Sequence, residues 1–179
     1  MTDADVPVTI GDFDPDDEGA RAQAADLLLA AFPQWTATRA EAEAEVAEAL
    51  QPDHICLAVR QGEQLLGWVA ALPAYSHAWE LHPLVVREDV RGIGIGRALV
   101  TELEERVRQR GVLTLYLGTD DEGETAGTSV WGIDLFPDPL AHAARLQSID
   151  HAAGFYQRTR YAVIGIIPDA NMVRGSRIS

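Results

Sequence analysis

The sequence has 179 residues, of which 47% are hydrophobic, and its formal net charge is −14. Its length predicts one domain spanning residues 1–179, its acidity argues against binding to nucleic acid phosphates, and it contains no apolar run long enough for a membrane helix. The start lacks the features of a signal peptide, and the single cysteine, Cys56, has no partner for an internal disulfide, so we expect a cytoplasmic protein with a cationic partner.

Hydrophobic periodicity and turn residues divide the chain into helices and strands. In chain order, the predicted elements are a strand at residues 6–10, helices at 20–32 and 38–50, strands at 55–59, 65–72 and 79–86, a helix at 97–110, a strand at 112–117, helices at 139–147 and 152–159, and a strand at 161–167. Thr36 or Thr38 caps the second helix, Gly62 marks a hairpin turn, and Pro83 predicts a bulge or a splay. Hairpins give antiparallel pairs and helical crossovers give parallel ones, so the fold class is α/β with a mixed sheet.

A glycine-rich segment lies between the strand at 79–86 and the helix that follows. It consists of Arg91, Gly92, Ile93, Gly94, Ile95, Gly96 and Arg97. Glycines permit close approach of the backbone to a phosphate, and a helix start offers free N–H groups, so the segment suits a pyrophosphate. The spacing lacks the third glycine of a dinucleotide-binding turn, and the chain has no lysine for a Walker motif. A plain glycine-rich turn is the alternative.

The pattern Arg91-x-x-Gly94-x-Gly96, together with Phe155-Tyr156 followed by Tyr161, resembles the GNAT superfamily of N-acetyltransferases. The second motif departs from the family in carrying Arg160 where a glycine is usual. The resemblance implies a mostly antiparallel central sheet, flanked by helices and splayed at the acetyl-CoA site. It also implies acetyl-CoA as the co-substrate, with the glycine segment binding its pyrophosphate.

Two longer motifs resemble the aminoglycoside 6'-N-acetyltransferases within this superfamily. They are Trp-Glu-Leu-His-Pro-Leu-Val-Val at residues 79–86 and Tyr-Leu-Gly-Thr-Asp-Asp at 116–121, and shorter matches occur at 32–33 and 167–171. This resemblance implies acetylation of a cationic aminoglycoside, antibiotic resistance and a homodimer. The residues from 172 to 179 depart from the usual final strand, which bears on the dimer contacts and not on the chemistry.

Glu80 and His82 are two residues apart on a strand and therefore share a face. Either can accept the amine proton, and we favour Glu80 because a carboxylate also attracts an ammonium group. Leu84, by resemblance, donates its amide to the thioester carbonyl, while the backbone of Leu84, Val85 and Val86 orients the pantetheine arm. Tyr156 would protonate the departing thiolate.

Asp120 and Asp121 are either plain loop acids or contacts to substrate ammonium groups, and the resemblance favours the second interpretation. No cluster of His, Cys and Asp has metal-ligand spacing, so no metal is expected. Two alternatives to the aminoglycoside enzyme stay open. One is an acetyltransferase for another amine, such as a polyamine or a protein N-terminus, and the other is a catalytically silent coenzyme A-binding module.

Overall fold

The computed structural model describes residues 8–121 and 126–168. These residues belong to two compact units, 1–117 and 118–179. The predicted strand residues 6 and 7, most of the motif at 167–171 and the atypical tail at 172–179 lie outside the described residues. The assignment of the whole chain to one domain stays a prediction.

The first unit contains a five-stranded sheet in which neighbouring strands follow chain order. Its strands are β1 (Val8–Asp12), β2 (Ile55–Gln61), β3 (Gln64–Pro73), β4 (Ala78–Val86) and β5 (Thr114–Tyr116). β1 to β4 pair antiparallel, and β5 pairs parallel to β4. The predicted mixed, mostly antiparallel sheet is therefore confirmed. The hairpin turn between β2 and β3 is also confirmed, with Gly62 at a φ of +61° that favours glycine.

Among the described residues, three α-helices accompany the sheet in the first unit, and two short ones lie in the second. They are α1 (Glu18–Ala31), α2 (Arg39–Ala49) and α3 (Ile95–Gln109), then α4 (Pro139–Ala144) and α5 (Ala152–Arg158). Asp17 caps α1, and Thr38 caps α2 in a capping box with Glu41, which selects Thr38 over Thr36. Within the described ranges, no helix is both long and apolar enough to cross a bilayer.

The core of the first unit lies on both faces of the sheet. α1 and α2 share one cluster of buried residues with Trp68, Ala70 and Val85 of the sheet. α3 buries Leu99 and Leu103 outside that cluster, against β2, β3 and β4. The helices therefore flank the sheet on opposite faces, as the predicted fold requires.

One predicted strand is wrong, and several boundaries shift. Residues 161–167 form no strand in the part of the chain that the structure describes, and Ile164 and Ile167 are 82% and 80% exposed. A strand needs a partner ladder as well as an apolar pattern, and this segment has the pattern without the ladder. β5 and α4 are shorter than predicted, whereas α3 begins two residues earlier and takes Ile95 and Gly96 into its first turn.

Candidate active site

β4 carries a bulge at the position of Pro83. Leu84 pairs with Val69 and Leu81 pairs with Ala71, so two residues of β4, His82 and Pro83, stand opposite one residue of β3. The His82–Pro83 peptide is cis. The predicted bulge is thus confirmed. It interrupts the ladder in the middle of the strand that carries the candidate base, a common position for a bulge beside an active site.

Glu80 and His82 lie on the sheet face that carries α1 and α2. Glu80 pairs in register with Leu72, whose side chain packs against the α1–α2 core cluster. His82 contacts Trp35, between α1 and α2, and lies near Glu45 on α2. The predicted shared face of Glu80 and His82 is therefore present, and both residues are half-buried. A carboxylate and an imidazole here can accept a proton while staying open to a ligand.

The edge of β4 that faces β5 is paired over only three residues. The parallel ladder joins Ala78, Trp79 and Glu80 to β5 and stops there. Beyond Glu80, no described strand pairs with this edge, so the backbone of Leu84 and the Val86 amide keep hydrogen-bonding capacity on that side. The side chain of Val85 is buried in the core and the residue pairs with Trp68 of β3, so of the three predicted backbone contacts Val85 is the least available to a ligand.

The glycine segment joins the end of β4 to α3 in a conformation that needs glycine. Gly92 and Gly94 have φ values of +80° and +101°, and apart from their chain neighbours no described atom lies within 4 Å of where a Cβ would stand on either. The open space on this side leaves room for a ligand against the backbone. Arg91 donates from Nε to the Val86 carbonyl at 2.9 Å, which ties the segment to β4.

The first turn of α3 has the properties of an anion site. No side chain caps this helix, and Gly94 occupies the N-cap position. The first amides of a helix have no intrahelical acceptor, so Ile95, Gly96 and Arg97 present N–H groups at the positive end of the helix dipole. Ile93 beside them is 75% exposed. A fifteen-residue helix with this start suits a pyrophosphate.

Substitution of Gly94 by alanine tests this geometry. Because alanine at a left-handed φ costs about 1–2 kcal/mol, we expect the KM for acetyl-CoA to rise roughly tenfold with little change in the acceptor KM. Steady-state kinetics with each substrate varied measures both constants. Gly11→Ala is the matched control, since Gly11 has equal space and no positive φ. An unchanged acetyl-CoA KM in Gly94→Ala would show that this backbone does not contact the cofactor.

Tyr156 lies on α5, in the second unit. Its ring packs edge-to-face against Phe155 and Tyr161, at centroid distances of 5.1 and 5.6 Å. Burial raises the pKa of Tyr156 to about 12, because desolvation disfavours the phenolate. The hydroxyl therefore stays protonated at neutral pH, the state that a proton donor requires.

The two loop acids differ in their surroundings. The carboxylate of Asp121 accepts hydrogen bonds from the Gly127 and Thr128 amides and from the Thr128 hydroxyl, which bonds Oδ2 at 2.6 Å. These three donors give Asp121 a structural role in the loop that the sequence did not reveal. The carboxylate of Asp120 is exposed, and its carbonyl accepts from His151 Nε2 at 2.7 Å. Of the two acids, Asp120 is the one that keeps its charge available.

Two residues near the site were not among the predicted site residues. Trp35 lies with its ring 4.6 Å from the His82 ring, and the Glu45 carboxylate is 3.7 Å from His82 Nε2. From the sequence, Trp35 is predicted to be a packing residue. Glu45 follows Ala42 by three positions and precedes Val46 by one, which places it at the border of the buried face of α2. This position at the border of the buried face is the sequence feature that could have identified Glu45.

Comparison with known proteins agrees with this geometry. The family model described as Acetyltransferase (GNAT) family matches residues 22–129. A solved aminoglycoside 6'-N-acetyltransferase in complex with coenzyme A is 35% identical, with a TM-score of 0.85, over 91% of this chain and 89% of that one. The enzyme of the same name from Enterococcus faecium is 35% identical, with a TM-score of 0.82 and the same coverage.

A third solved structure, an aminoglycoside 6'-acetyltransferase of type Ii, is 32% identical, with a TM-score of 0.70, over 91% of this chain and 88% of that one. The comparison with curated protein sequences gave no match. The family model covers more than half of the chain, including β2 to β5 and the glycine segment, and the structural likeness to the first enzyme extends over 91% of the chain. The chain therefore belongs to the GNAT acetyltransferase family and is an acetyl-CoA-dependent N-acetyltransferase.

Proposed function

We propose that this protein acetylates the 6'-amine of aminoglycosides. The observation that carries the proposal is the composition of β4, where Glu80 and His82 share the α1–α2 face and no described strand pairs with the edge beyond them. Support also comes from three solved structures of aminoglycoside 6'-acetyltransferases that are 32–35% identical to this chain. The net charge of −14 favours a polycationic acceptor by raising its local concentration.

The residues of the first unit fit acetyl-CoA as co-substrate. The left-handed glycines, the uncapped start of α3 and the charge of Arg91 and Arg97 suit the pyrophosphate. The open edge of β4 can hydrogen-bond the pantetheine amides in the manner of an added strand. The Leu84 amide would donate to the thioester carbonyl and stabilise the negative charge that develops on its oxygen.

Acetyl transfer then proceeds directly from thioester to amine. The acceptor ammonium first loses a proton to Glu80, directly or through water, and the free amine attacks the acyl carbon. The carbon–sulfur bond then breaks, and the nitrogen releases its second proton to solvent as the amide forms. The released thiolate receives a proton from Tyr156. Before reaction, the Glu80 carboxylate attracts the ammonium form of the acceptor, and the exposed Asp120 can bind another of its cationic groups. No acyl-enzyme forms, so no nucleophilic side chain is needed.

The role of Tyr156 predicts the effect of removing one hydroxyl. Tyr156→Phe is expected to lower kcat by on the order of 10²-fold, with little change in the KM of either substrate. Because its pKa is raised to about 12, Tyr156 stays protonated up to that pH, so the wild-type profile should show no alkaline decline from this group below pH 10. Stopped assays from pH 6 to 10 measure both effects. A kcat within twofold of wild type would exclude Tyr156 as the acid.

The proposed function is tested by thiol release from acetyl-CoA with matched acceptors. Kanamycin carries a 6'-amine, and a matched aminoglycoside carries a hydroxyl there. We expect turnover of the first alone, whereas turnover of both would move the acceptor amine elsewhere. Faster turnover of a simple polyamine such as spermidine would favour the alternative function. The half-buried Cys56 should give little background with thiol reagents, because burial raises its pKa.

The proposal extends to antibiotic resistance, a cytoplasmic location and a homodimer, which rest on the likeness to aminoglycoside enzymes. The dimer is the easiest of these to test, because a monomer of 19.4 kDa and a dimer differ twofold in mass. Sedimentation that detects only this mass at micromolar concentration would refute it. Expression in a susceptible bacterium, with the weakened Glu80→Gln variant as control, tests resistance directly.

A further inference from the structure

His151 uses both of its ring nitrogens to join the loop that contains Asp120 to the start of α5. Its Nδ1 accepts a hydrogen bond from the Ala153 amide at 3.2 Å, which makes His151 the N-cap of α5. Its Nε2 lies 2.7 Å from the Asp120 carbonyl oxygen. A ring nitrogen that accepts carries no hydrogen, so the ring makes both bonds as the neutral tautomer with its hydrogen on Nε2. One side chain therefore connects the loop with the helix.

The helix α5 is too short to be stable by itself. It has seven residues, and isolated helices of this length are marginal in water, so its placement depends on contacts around it. The His151 carbonyl accepts from the Gly154 amide at 3.0 Å and from the Ser148 hydroxyl at 3.1 Å. A Cβ on Gly154 would stand 2.6 Å from Ser148 Oγ, so the helix packs closely on this segment. Tyr156 lies on the same short helix, and its hydroxyl moves when the helix moves.

The loop is held against the His151 ring by its backbone. The Gly127 carbonyl accepts from the amides of Ile149 and Asp150 at 2.8 and 3.1 Å. A Cβ on Gly127 would stand 2.5 Å from Asp121 Oδ1 and 3.2 Å from His151 Cδ2, so the absence of a side chain allows this close approach. These backbone bonds do not involve the ring. Loss of the ring should therefore loosen the loop and the helix without unfolding the unit.

We propose that His151 is a positioning residue, whose Nδ1 places the Tyr156 hydroxyl by capping α5 and whose Nε2 places Asp120 by holding the loop. This inference rests on the proposed function, because it takes Tyr156 as the acid and Asp120 as a contact to the acceptor. His151 itself takes no part in the chemistry. Its effect on the rate comes from geometry, since a misplacement of about 1 Å can cost about 10²-fold in rate.

Two substitutions separate the two bonds of the ring. The asparagine side-chain oxygen lies as many bonds from Cα as Nδ1 does, and asparagine is a favoured N-cap, so His151→Asn keeps the cap and loses the bond to Asp120. The glutamine side-chain nitrogen lies as many bonds from Cα as Nε2 does, so His151→Gln keeps the bond to Asp120 and loses the cap.

Steady-state kinetics with kanamycin should show a different constant changing in each variant. We expect His151→Gln to lower kcat about tenfold with the acceptor KM within about twofold of wild type. We expect His151→Asn to raise the acceptor KM about fivefold with kcat within about twofold. Hydrogen exchange of the Ala153 amide, measured by NMR, should be faster in the glutamine variant and close to wild type in the asparagine variant.

Two further variants make the result specific. Asp138→Ala removes the N-cap of α4, where the Asp138 carboxylate accepts from the Ala141 amide at 3.0 Å. Since α4 carries no proposed site residue, its kinetic constants should match wild type. In a Tyr156→Phe background, His151→Gln should lower kcat by less than about twofold, because the hydroxyl that the cap positions is already gone.

The outcomes separate this inference from the proposed function. It is overturned if His151→Gln costs the same factor with and without the Tyr156 hydroxyl, if both His151 variants change the same constant, or if Asp138→Ala loses as much activity. Equal exchange of the Ala153 amide in wild type and His151→Gln also overturns it. If the wild type acetylates spermidine but not kanamycin, the proposed function fails instead, and the same variants assayed with spermidine decide the role of His151.

Discussion

Replacement of Glu80 by glutamine is expected to lower kcat/KM for the amine acceptor by about 10²–10⁴, the usual contribution of a positioned base. Glutamine keeps the shape of the side chain but accepts no proton from the amine. It also removes a negative charge that attracts the ammonium group, so the acceptor KM should rise as well. The affinity for coenzyme A should stay within about twofold, since Glu80 lies outside the glycine segment. Thiol release and calorimetry measure the two quantities.

Two control variants make this result specific to Glu80. Glu48→Gln removes an equal charge from an exposed position on α2 and should leave kcat/KM near the wild-type value. His82→Gln distinguishes the two candidate bases. If Glu80 is the base, the Glu80 variant loses more activity than the His82 variant at every pH. The reverse order would transfer the role to His82, and a loss below threefold in both would remove the proton-acceptor role from this face of β4.

The second large effect concerns stability. Trp68 is fully buried in β3, at the centre of the cluster shared by the sheet with α1 and α2, and packs edge-to-face on Phe13 at 6.2 Å. Trp68→Ala is expected to lower the free energy of unfolding by about 3–5 kcal/mol, since it removes a large buried ring and leaves a cavity. Urea unfolding followed by circular dichroism measures the change. A loss below about 1 kcal/mol would show that the cluster does not depend on this ring.

The Trp68→Phe variant tests the contribution of the buried indole N–H to stability. The Trp68 Nε1 donor is buried and has no hydrogen-bond partner among the described residues. An unpaired buried donor costs about 1–3 kcal/mol, and phenylalanine removes it together with part of the ring volume. The two effects oppose each other, so we expect the stability to stay within about 2 kcal/mol of wild type. A loss as large as that of the alanine variant would indicate that the indole N–H is satisfied in solution.

Sequence patterns predicted the first unit well because its elements satisfy several local rules at once. The order of elements from β1 to β5, the hairpin at Gly62, the Thr38 cap and the bulge at Pro83 all follow from residue types with strong conformational preferences. The family and the shared face of Glu80 and His82 were also predicted, the first from motifs and the second from the period of a strand.

The remaining features depend on contacts between distant residues. Residues 161–167 have the composition of a strand but no ladder, which a local pattern does not report. Asp121 looked available for substrate, yet its carboxylate accepts three hydrogen bonds from residues six and seven positions later. Trp35 and Glu45 meet His82 only because the chain folds α1 and α2 over the sheet. Each of these facts needs tertiary structure.

The bulge on β4 has a consequence for chain length. In a regular strand, residues five positions apart lie on opposite faces. Glu80 and Val85 are five apart, yet both lie on the α1–α2 face, because their partners Leu72 and Trp68 lie there and one residue between them is supernumerary. The bulge thus shifts the alternation of faces along the strand by one residue. As a result the candidate base, Glu80, and the buried core residue Val85 share a face although they are an odd number of positions apart. Deletion of one residue between Glu80 and Val85 would therefore move one of the two to the opposite face of the sheet.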